Sequence, residues 1–448
     1  MADEWRLAYN VTQEKQTKGQ QGNSPPKNEV HSFPLTVTLG NEHLIVEDGA
    51  RKTTYDFRNR RLASLQLDKM AYDDYSLYSN VGRRVSELLN RFAIGDSLRA
   101  AKVASAADFG RFDDETNLGI ELPGFTRAGP EPTIEKVGLE KDGWEFRHDG
   151  QSAVQFLPAA VSIPNSFYRR FVSFLAYDCH IHPGIRRQIA ASGQIPRQLI
   201  VHWHEFNTQG TATYRLMSAE QVKTDSSALP ANARPAQHPG DPFYRVLFLV
   251  GDEGHSTHRI TREDAVDFAN RAVGTKHYLD ALLALIEYGL QSGEQPAAEL
   301  GKHMAEFRSD AQCRLYLTAV HQPIPSKEGA RKCLASCESI DRGSLQKGYM
   351  IDLQRADLLA QLSRGGVKTD AQIKEFKTAE QLFIKVLGAN PFLAGAYHDL
   401  GQLYFDGFAH EKAWMCFDTA RRLYPDHPLM KDITALERRY ERDFPDLF

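Results

Sequence analysis

The stretch that predicts a sheet spans residues 35–67 and reads LTVTLGNEHLIVEDGARKTTYDFRNRRLASLQL. Apolar and polar residues alternate over residues 35–39, which is the period of a strand with one buried face. Gly40-Asn41, Asp48-Gly49 and Asn59-Arg60 are turn signals between this run and the short runs that follow it. The stretch therefore predicts a meander of short antiparallel strands.

Similar patterns on both sides of this stretch extend the β-rich region to about residue 260. Asp142-Gly143 and Gln209-Gly210 are further hairpin turns between apolar runs. Helices are predicted at 78–93 and 167–177, where apolar residues follow a helical stripe or form one longer run. Further strands are predicted at residues 6–11, 133–139, 144–148, 151–157, 197–206, 211–217 and 243–250.

Composition excludes several classes of protein. The chain has 448 residues, 42% hydrophobic and 25% charged, with a formal net charge of −4. These values are close to globular averages, so enough apolar surface exists for a packed core. The near balance of 54 basic and 58 acidic residues argues against a nucleic-acid partner. No apolar run reaches the length of a membrane span, so no transmembrane segment is predicted.

The N-terminus has no basic start and no apolar segment, so no signal peptide is predicted. Two interpretations follow: a cytoplasmic protein, or a mature form whose leader was removed and replaced by Met1. The strand pattern of Tyr55-Asp-Phe57, Arg61-Leu62, Leu67-Asp68 and Tyr72 resembles that of bacterial extracytoplasmic half-barrel proteins of the lipoprotein-carrier type. This resemblance favours a periplasmic location.

The C-terminal region is predicted to be helical from residue 261 and contains a repeat. Its spaced positions are Tyr397, Leu400, Gly401, Tyr404, Ala413, Phe417, Ala420 and Pro425. This order and spacing resemble the tetratricopeptide repeat, a helical hairpin. Gly401 and Ala413 are small where two helices must approach closely, and Pro425 ends the second helix.

The predicted architecture is α+β, with a β-rich N-terminal region followed by an all-α, helical-repeat domain. The predicted regions are 1–130, 131–260 and 261–448, of which the first two form either one domain or two. Tetratricopeptide-like hairpins are predicted over 345–425, with a capping helix over 428–442. The N-terminal region is not assigned to a family.

The tetratricopeptide resemblance implies a protein or peptide partner bound in the concave groove of the repeat. Carried onto this chain, the groove positions are His398, Gln402, Phe405 and Asp406. Phe405 would be an aromatic anchor, unless the next helix covers it. The groove positions lack the Lys and Arg residues that clamp a C-terminal carboxylate, so that type of peptide is not predicted.

A histidine cluster provides the alternative function, a metal-binding protein or metal-dependent enzyme. His202 and His204 alternate on a predicted strand and would share a face. With His180 and His182 they could hold zinc or copper, although their spacing matches no defined motif. Residues 113–117 resemble part of a calcium loop but lack its glycine, and they are interpreted as a solvated loop.

The leading hypothesis is a non-enzymatic interaction or scaffold protein that docks a partner through its helical domain. Catalysis is the less favoured interpretation because the chain contains no Walker A, G-x-G-x-x-G, G-x-S-x-G or zincin sequence. Apart from the zinc or copper alternative, no cofactor is predicted. The five cysteines are too few for a disulfide scaffold, and Cys333 and Cys337 would share a helix face.

Overall fold

The computed structural model describes residues 3–17, 27–103, 110–124, 132–140, 142–159, 161–205, 208–223, 229–236, 238, 240–250, 260–294, 296–321, 326–365 and 369–448. Its internal contacts divide the chain into two units. The sheet unit comprises Met1–Ala236 and Glu437–Phe448, and the helical unit comprises Gln237–Leu436. Strands from both predicted N-terminal regions belong to the same unit.

In the described residues, the sheet unit contains twelve strands that form one sheet, in the order β12-β6-β5-β4-β3-β2-β1-β11-β10-β9-β8-β7. All neighbouring strands pair in antiparallel orientation except β12 and β6, which are parallel. The strands are β1 Asp3–Thr17, β2 Lys27–Leu39, β3 His43–Glu47, β4 Arg51–Asp56, β5 Arg61–Gln66, β6 Ala71–Ser76, β7 Ile134–Leu139, β8 Gly143–His148, β9 Gln151–Pro158, β10 Pro196–Glu205, β11 Thr208–Lys223 and β12 Arg234–Pro235.

The predicted meander is confirmed, because β2 to β6 pair in sequence order. β1 is the strand that joins the two halves of the sheet. It pairs with β2 on one side, where Leu7 lies opposite Val37, and with β11 on the other, where Val11 lies opposite Tyr214. The sequence pattern found only residues 6–11 of β1, because the following residues 12–17 are polar and half-buried or exposed and so show no apolar alternation.

Four α-helices of the described residues accompany the sheet: α1 Leu77–Ala100, α2 Arg111–Leu118, α3 Asn165–Tyr177 and α4 Pro183–Ser192. The apolar helix α3 packs on β2 and β3 and fills the core. The Phe174 ring lies 6.2 Å from the rings of both Tyr9 and Tyr214. The solvated loop predicted at residues 113–117 is wrong, because these residues lie in α2, where Asp114 and Glu115 are buried.

The last residues of the chain complete the sheet unit. The Tyr177 hydroxyl donates to the Leu447 carbonyl at 2.7 Å, and the Arg186 guanidinium pairs with Asp446 at 3.0 Å. Leu447 and Phe448 are buried, and a short 3₁₀ helix, Pro445–Leu447, places them there. The sheet unit is therefore closed by chain segments that are far apart in sequence.

The helical unit is entirely helical in the described residues. Its helices are α5 Pro242–Val250, α6 Arg262–Gly274, α7 Tyr278–Ser292, α8 Ala297–Lys302, α9 Met304–Ser309, α10 Ala311–His321, α11 Lys327–Glu338, α12 Tyr349–Ser363, α13 Asp370–Ala389, α14 Ala394–Asp406, α15 His410–Leu423 and α16 Met430–Asp443. The last helix continues past the unit boundary at residue 436. The predicted capping helix is thus formed, but its residues from Glu437 onward belong to the sheet unit.

The strand predicted over residues 243–250 is wrong, because these residues form α5. The run is almost uniformly apolar, so its sequence has no clear period to separate strand from helix. Burial in the folded unit does have a helical period. Phe243, Val246 and Val250 are buried, three and four positions apart, whereas Phe248 and Leu249 are exposed.

Two sequential helical pairs, α12 with α13 and α14 with α15, pack together in the region of the predicted hairpins. In the second pair, a Cβ atom at Gly401 would lie 2.6 Å from the Phe417 ring and 3.1 Å from the Ala413 carbonyl oxygen. Glycine is therefore required at this close approach. Tyr397, Leu400, Tyr404 and Phe417 are all buried around it.

All five cysteines are free and buried, so Cys333 and Cys337 do not form a disulfide. A Cys333 to Thr318 carbonyl contact of 3.8 Å is consistent with its packing between helices. Among the described residues, no helix combines the length and the apolar composition needed to cross a bilayer.

Candidate functional site

A cleft of about 990 Å³ opens in the sheet unit. Its walls come from the polar ends of β1 and β2, the start of α2, the turn between β8 and β9, and the β10–β11 hairpin. A volume of this size lies at the upper end of the range of ~300–1,000 Å³ that is usual for small-molecule sites. The cleft is lined mainly by polar and charged side chains, unlike the aromatic core under α3.

Two of the four histidines predicted to bind metal line this cleft. His202 and His204 lie two residues apart on β10. The His202 Nδ1 atom lies 3.0 Å from the Thr211 hydroxyl, and the His204 Nδ1 atom lies 3.6 Å from the Asp113 carboxylate. Burial lowers the pKa of His202, which favours a neutral imidazole beside Thr211.

The other two predicted ligands have separate structural partners. His182 is buried, accepts a hydrogen bond from the Gly184 amide at the start of α4, and lies 3.0 Å from the Glu115 carboxylate. His180 has a φ of 50°, and its Nδ1 atom lies 3.0 Å from the Asn117 carbonyl oxygen. Burial lowers the pKa of His180, with Arg84 adding to the effect.

The structure does not bring the four histidines together as one metal site. Among the described residues, which include all four, no group of three or more His, Cys, Asp or Glu side chains is placed to hold a metal ion. His202 and His204 share one face of β10, as their alternation predicts. The position of His180 and His182, however, depends on the tertiary path from α3 into α4.

Sequence reasoning missed His148 and Phe112, which form a stack at the cleft. The Phe112 ring lies 4.1 Å from the His148 ring on one side and 4.7 Å from the His182 ring on the other. Asp113, the next residue on α2, interacts electrostatically with both His148 and His204. Burial raises the pKa of Asp113, and the two imidazoles oppose that effect. No spacing in the sequence connects these residues, since they come from three separate elements.

The predicted partner-binding residues lie on α14 in the helical unit, and three of them use their polar groups internally. The Gln402 amide donates to Asp406 at 2.9 Å, and Asp406 accepts from the Arg364 guanidinium at 2.8 Å. His398 lies 2.9 Å from the Asp399 carboxylate. These side chains are exposed or half-buried, and their hydrogen bonds form two separate groups on α14.

Phe405, the predicted anchor, is half-buried rather than free. Its ring meets the edge of the His410 ring at 5.0 Å and lies 5.8 Å from the Trp414 ring. The second helix of its own hairpin, α15, therefore covers part of the ring. Phe405 is held in place by this packing and offers only its remaining surface to a partner.

Sequence reasoning missed an exposed apolar surface next to this face, here called the Phe408 surface and formed by Ile373, Phe376 and Phe408. Phe408 is 55% exposed and Ile373 is 40% exposed. Phe376 packs over the turn before Phe408, because a Cβ atom at Gly407 would lie 2.6 Å from the Phe376 ring. In the sequence, the only indication of this surface is the apolar Phe408 after Asp406-Gly407, where α14 ends.

Comparison with known proteins identifies no family. No family model matches the chain, and no curated protein matches it. Among solved structures, one that matches is described as "Lipid-protein interactions in lipovitellin", with a TM-score of 0.18 and 9% sequence identity. The match covers 98% of this chain, which spans 58% of the lipovitellin chain.

Proposed function

We propose that the protein is a non-enzymatic interaction protein whose helical unit docks a protein partner on the Phe408 surface. The observation that carries the proposal is the backbone of Phe408. Its φ of 62° lies in the left-handed region, which bulky residues avoid. A phenylalanine in this conformation costs about 1–2 kcal/mol relative to glycine, and here its ring is also largely in water.

The turn at Phe408 ends α14 with backbone hydrogen bonds from Phe408 to Phe405 and from Ala409 to Tyr404, and the Phe408 ring contacts the edge of His410 at 6.4 Å. None of this requires a phenylalanine. A glycine or asparagine at this turn would be less strained, and a polar residue would be better hydrated. Residues held at such a cost concentrate at functional positions. An exposed phenyl ring is also the kind of side chain that anchors a protein interface. A partner that covers the ring would recover the apolar burial that the isolated chain gives up.

The surroundings of the Phe408 surface support a partner of defined chemistry. On α13, Lys377 is one turn after Ile373 and therefore shares its face, and Lys374 is its exposed neighbour. Arg364 is also exposed beyond its pair with Asp406. A protein segment with an apolar or aromatic anchor flanked by acidic residues would complement this surface. The tetratricopeptide-like packing of Gly401 against Phe417 supports the same proposal, because such hairpins serve mainly as binding scaffolds.

The test compares the full-length chain with Phe408→Ala as baits in quantitative affinity purification. Partners are then remeasured with purified components. We expect at least about a tenfold loss of affinity, which corresponds to a hot-spot residue. The matched control is Phe248→Ala, because Phe248 is an exposed phenylalanine in the same unit, at 66% exposure. Equal losses in both variants, or no loss in Phe408→Ala, would contradict the proposal.

A further inference from the structure

A second site in the helical unit shares no residue with the Phe408 surface: three basic side chains meet at the buried carboxylate of Asp352. Its Oδ1 atom accepts from the Arg342 guanidinium at 2.5 Å and from the Arg355 guanidinium at 3.0 Å. Its Oδ2 atom accepts from the Lys385 ammonium at 2.8 Å. Because the three cations contact the same carboxyl group, they lie side by side, although they come from α12, α13 and the segment between α11 and α12. These four residues are here called the Asp352 cluster.

The Asp352 cluster contains more positive charge than the fold requires. Burial opposes the ionisation of Asp352, but the hydrogen bond from Lys385 and the positive charge of Arg342 lower its pKa, so the residue is an anion at neutral pH. One cation would compensate that charge, and the other two repel each other. Among the described residues, the one further ion pair of these cations joins Arg355 to the exposed Glu338 carboxylate at 3.6 Å. Even with Glu338 counted, one positive charge remains, and so exposed a pair contributes little.

The Asp352 cluster also has hydrogen-bond donors that the fold does not use. A guanidinium group has five N–H donors and an ammonium group has three. In the part of the chain that the structure describes, Asp352 is the only hydrogen-bond partner of the Arg342 and Lys385 side chains. The Nε atom of Arg355 is buried and has no partner there. Because the Arg342 and Lys385 side chains are partly exposed, their remaining donors can reach a ligand.

We propose that the Asp352 cluster binds a dianionic phosphoryl group, held by Arg342, Arg355 and Lys385. A phosphoryl group carries about −1.5 to −2 charge at neutral pH and three strong acceptor oxygens, which match the unpaired charge and the unused donors of the cluster. Arginine binds phosphate oxygens with two parallel N–H groups, and lysine binds them as a point charge. Asp352 acts as a positioning residue, because it orders the three cations before the ligand arrives and so lowers the entropy cost of binding.

The test uses the full-length protein and two probes that share this chemistry, inorganic phosphate and a phosphoserine peptide with glycine on both sides. Calorimetry at physiological salt measures binding, and the same peptide without phosphate is the comparison. We expect saturable binding of at least one phosphoryl probe to a single site, and none of the unphosphorylated peptide. Tighter binding of the phosphopeptide would support the proposal with a phosphorylated protein as the source, and tighter binding of phosphate would support it with a small phosphate compound.

Variants of the exposed cations locate the binding. Lys385→Ala and Arg342→Gln should each weaken it by about fivefold to tenfold, and Lys385→Arg should restore it. The matched control is Lys332→Ala, because the Lys332 side chain is 72% exposed, like Lys385 at 69%, and pairs with one exposed carboxylate, that of Glu328, at 2.8 Å. The proposal is overturned if neither phosphoryl probe binds, if the unphosphorylated peptide binds as tightly, or if Lys385→Ala weakens binding no more than Lys332→Ala.

Discussion

The two units differ in how far apart in sequence their contacting segments lie. In the sheet unit, β1 pairs along its whole length with β11, so that Asp3 lies opposite Lys223, and residues 437–448 complete the core. In the helical unit, the main packing partners are consecutive helices, such as α12 with α13 and α14 with α15. The sheet unit therefore cannot close until nearly the whole chain is present, whereas hairpins of the helical unit can form locally.

The units resemble each other in one respect, since each contains a half-buried aspartate with a pKa raised to about 7. In the sheet unit, burial raises the pKa of Asp178, and Arg84 opposes the shift. In the helical unit, burial raises the pKa of Asp357, and the nearby carboxylate of Asp399 adds to the effect. In both units, therefore, burial is the main cause of the raised pKa, and nearby charges of both signs modify it.

The largest effect should come from the C-terminal contacts. Replacing Leu447 and Phe448 together by Ala removes two buried side chains and should cost the sheet unit about 3–6 kcal/mol. Amide hydrogen exchange measured by mass spectrometry should show reduced protection in β1, β11 and α3, and unchanged protection in α12 to α15. Leu429→Ala is the control, because Leu429 is partly exposed and belongs to the helical unit. Loss of protection in both units alike would contradict the division.

The pH dependence of stability should reveal the raised pKa values of Asp178 and Asp357. Each folded-state pKa lies near 7, above the unfolded value of about 3.9. Between these values the folded chain keeps a proton that the unfolded chain has released, so stability falls as pH rises from about 4 to 7 and then levels off. Asp178→Asn should therefore stabilise the sheet unit at pH 8, by at most ~4 kcal/mol, and give no such gain at pH 4.

Denaturant unfolding at pH 4 and pH 8 measures this difference for each unit. Asp357→Asn should likewise stabilise the helical unit at pH 8 and give no such gain at pH 4. Asp399→Asn should lower the pKa of Asp357 by removing the like charge, and so flatten the pH dependence of the helical unit alone. An equal gain at both pH values would show that the aspartates do not change protonation over this range.

Two Gly→Ala substitutions should separate the effect of close packing on stability from the effect of helix propensity within the helical unit. Gly401→Ala introduces a Cβ atom against Phe417 and Ala413 and should cost about 1–3 kcal/mol. Gly388→Ala is the matched control on α13, where a Cβ atom meets nothing within 4 Å. It should stabilise by about 0.5–1 kcal/mol through its higher helix propensity. Thermal denaturation should give shifts of opposite sign, and two shifts of the same sign would argue against the close approach at Gly401.

The smallest effect should be a gain of stability at Phe408. Phe408→Gly relieves the left-handed strain and should stabilise the helical unit by up to about 1 kcal/mol, although it removes the proposed anchor. Phe248→Gly, which places a glycine inside α5, should instead destabilise by about 1 kcal/mol. A melting temperature for Phe408→Gly below that of the wild type would mean that the ring supports the fold, and would weaken the docking proposal.

Much of the fold was predictable where local patterns were decisive. The meander of β2 to β6 follows from alternation and turn residues, and the pairing of β10 with β11 as a hairpin was also predicted. The predicted turn, Gln209-Gly210, was wrong, because both residues lie within β11, opposite His204 and Trp203. The helices of residues 349–423 follow from their apolar periodicity and small residues. In contrast, residues 243–250 are almost uniformly apolar and have no hydrophobic period. Their prediction as a strand was wrong, because such a run occurs in both strands and helices.

The candidate site was predictable only in part. His202 and His204 were identified because alternation on a strand is visible in sequence. Their neighbours Asp113 and His148 were not, because they reach the cleft from α2 and β8. In the helical unit, the sequence indicated the surface of α14, but the exposure and left-handed backbone of Phe408 became visible only in three dimensions.

By itself, the sequence determined that an antiparallel β-rich region precedes a helical one, since both periodicities are local properties set by backbone geometry. Tertiary structure alone decided that β1 pairs with β11, and that the last twelve residues, Glu437–Phe448, belong with the sheet. It also decided that α2 brings Asp113 to His204. These associations depend on burial and hydrogen bonding between distant segments, whose register and partners no local pattern specifies.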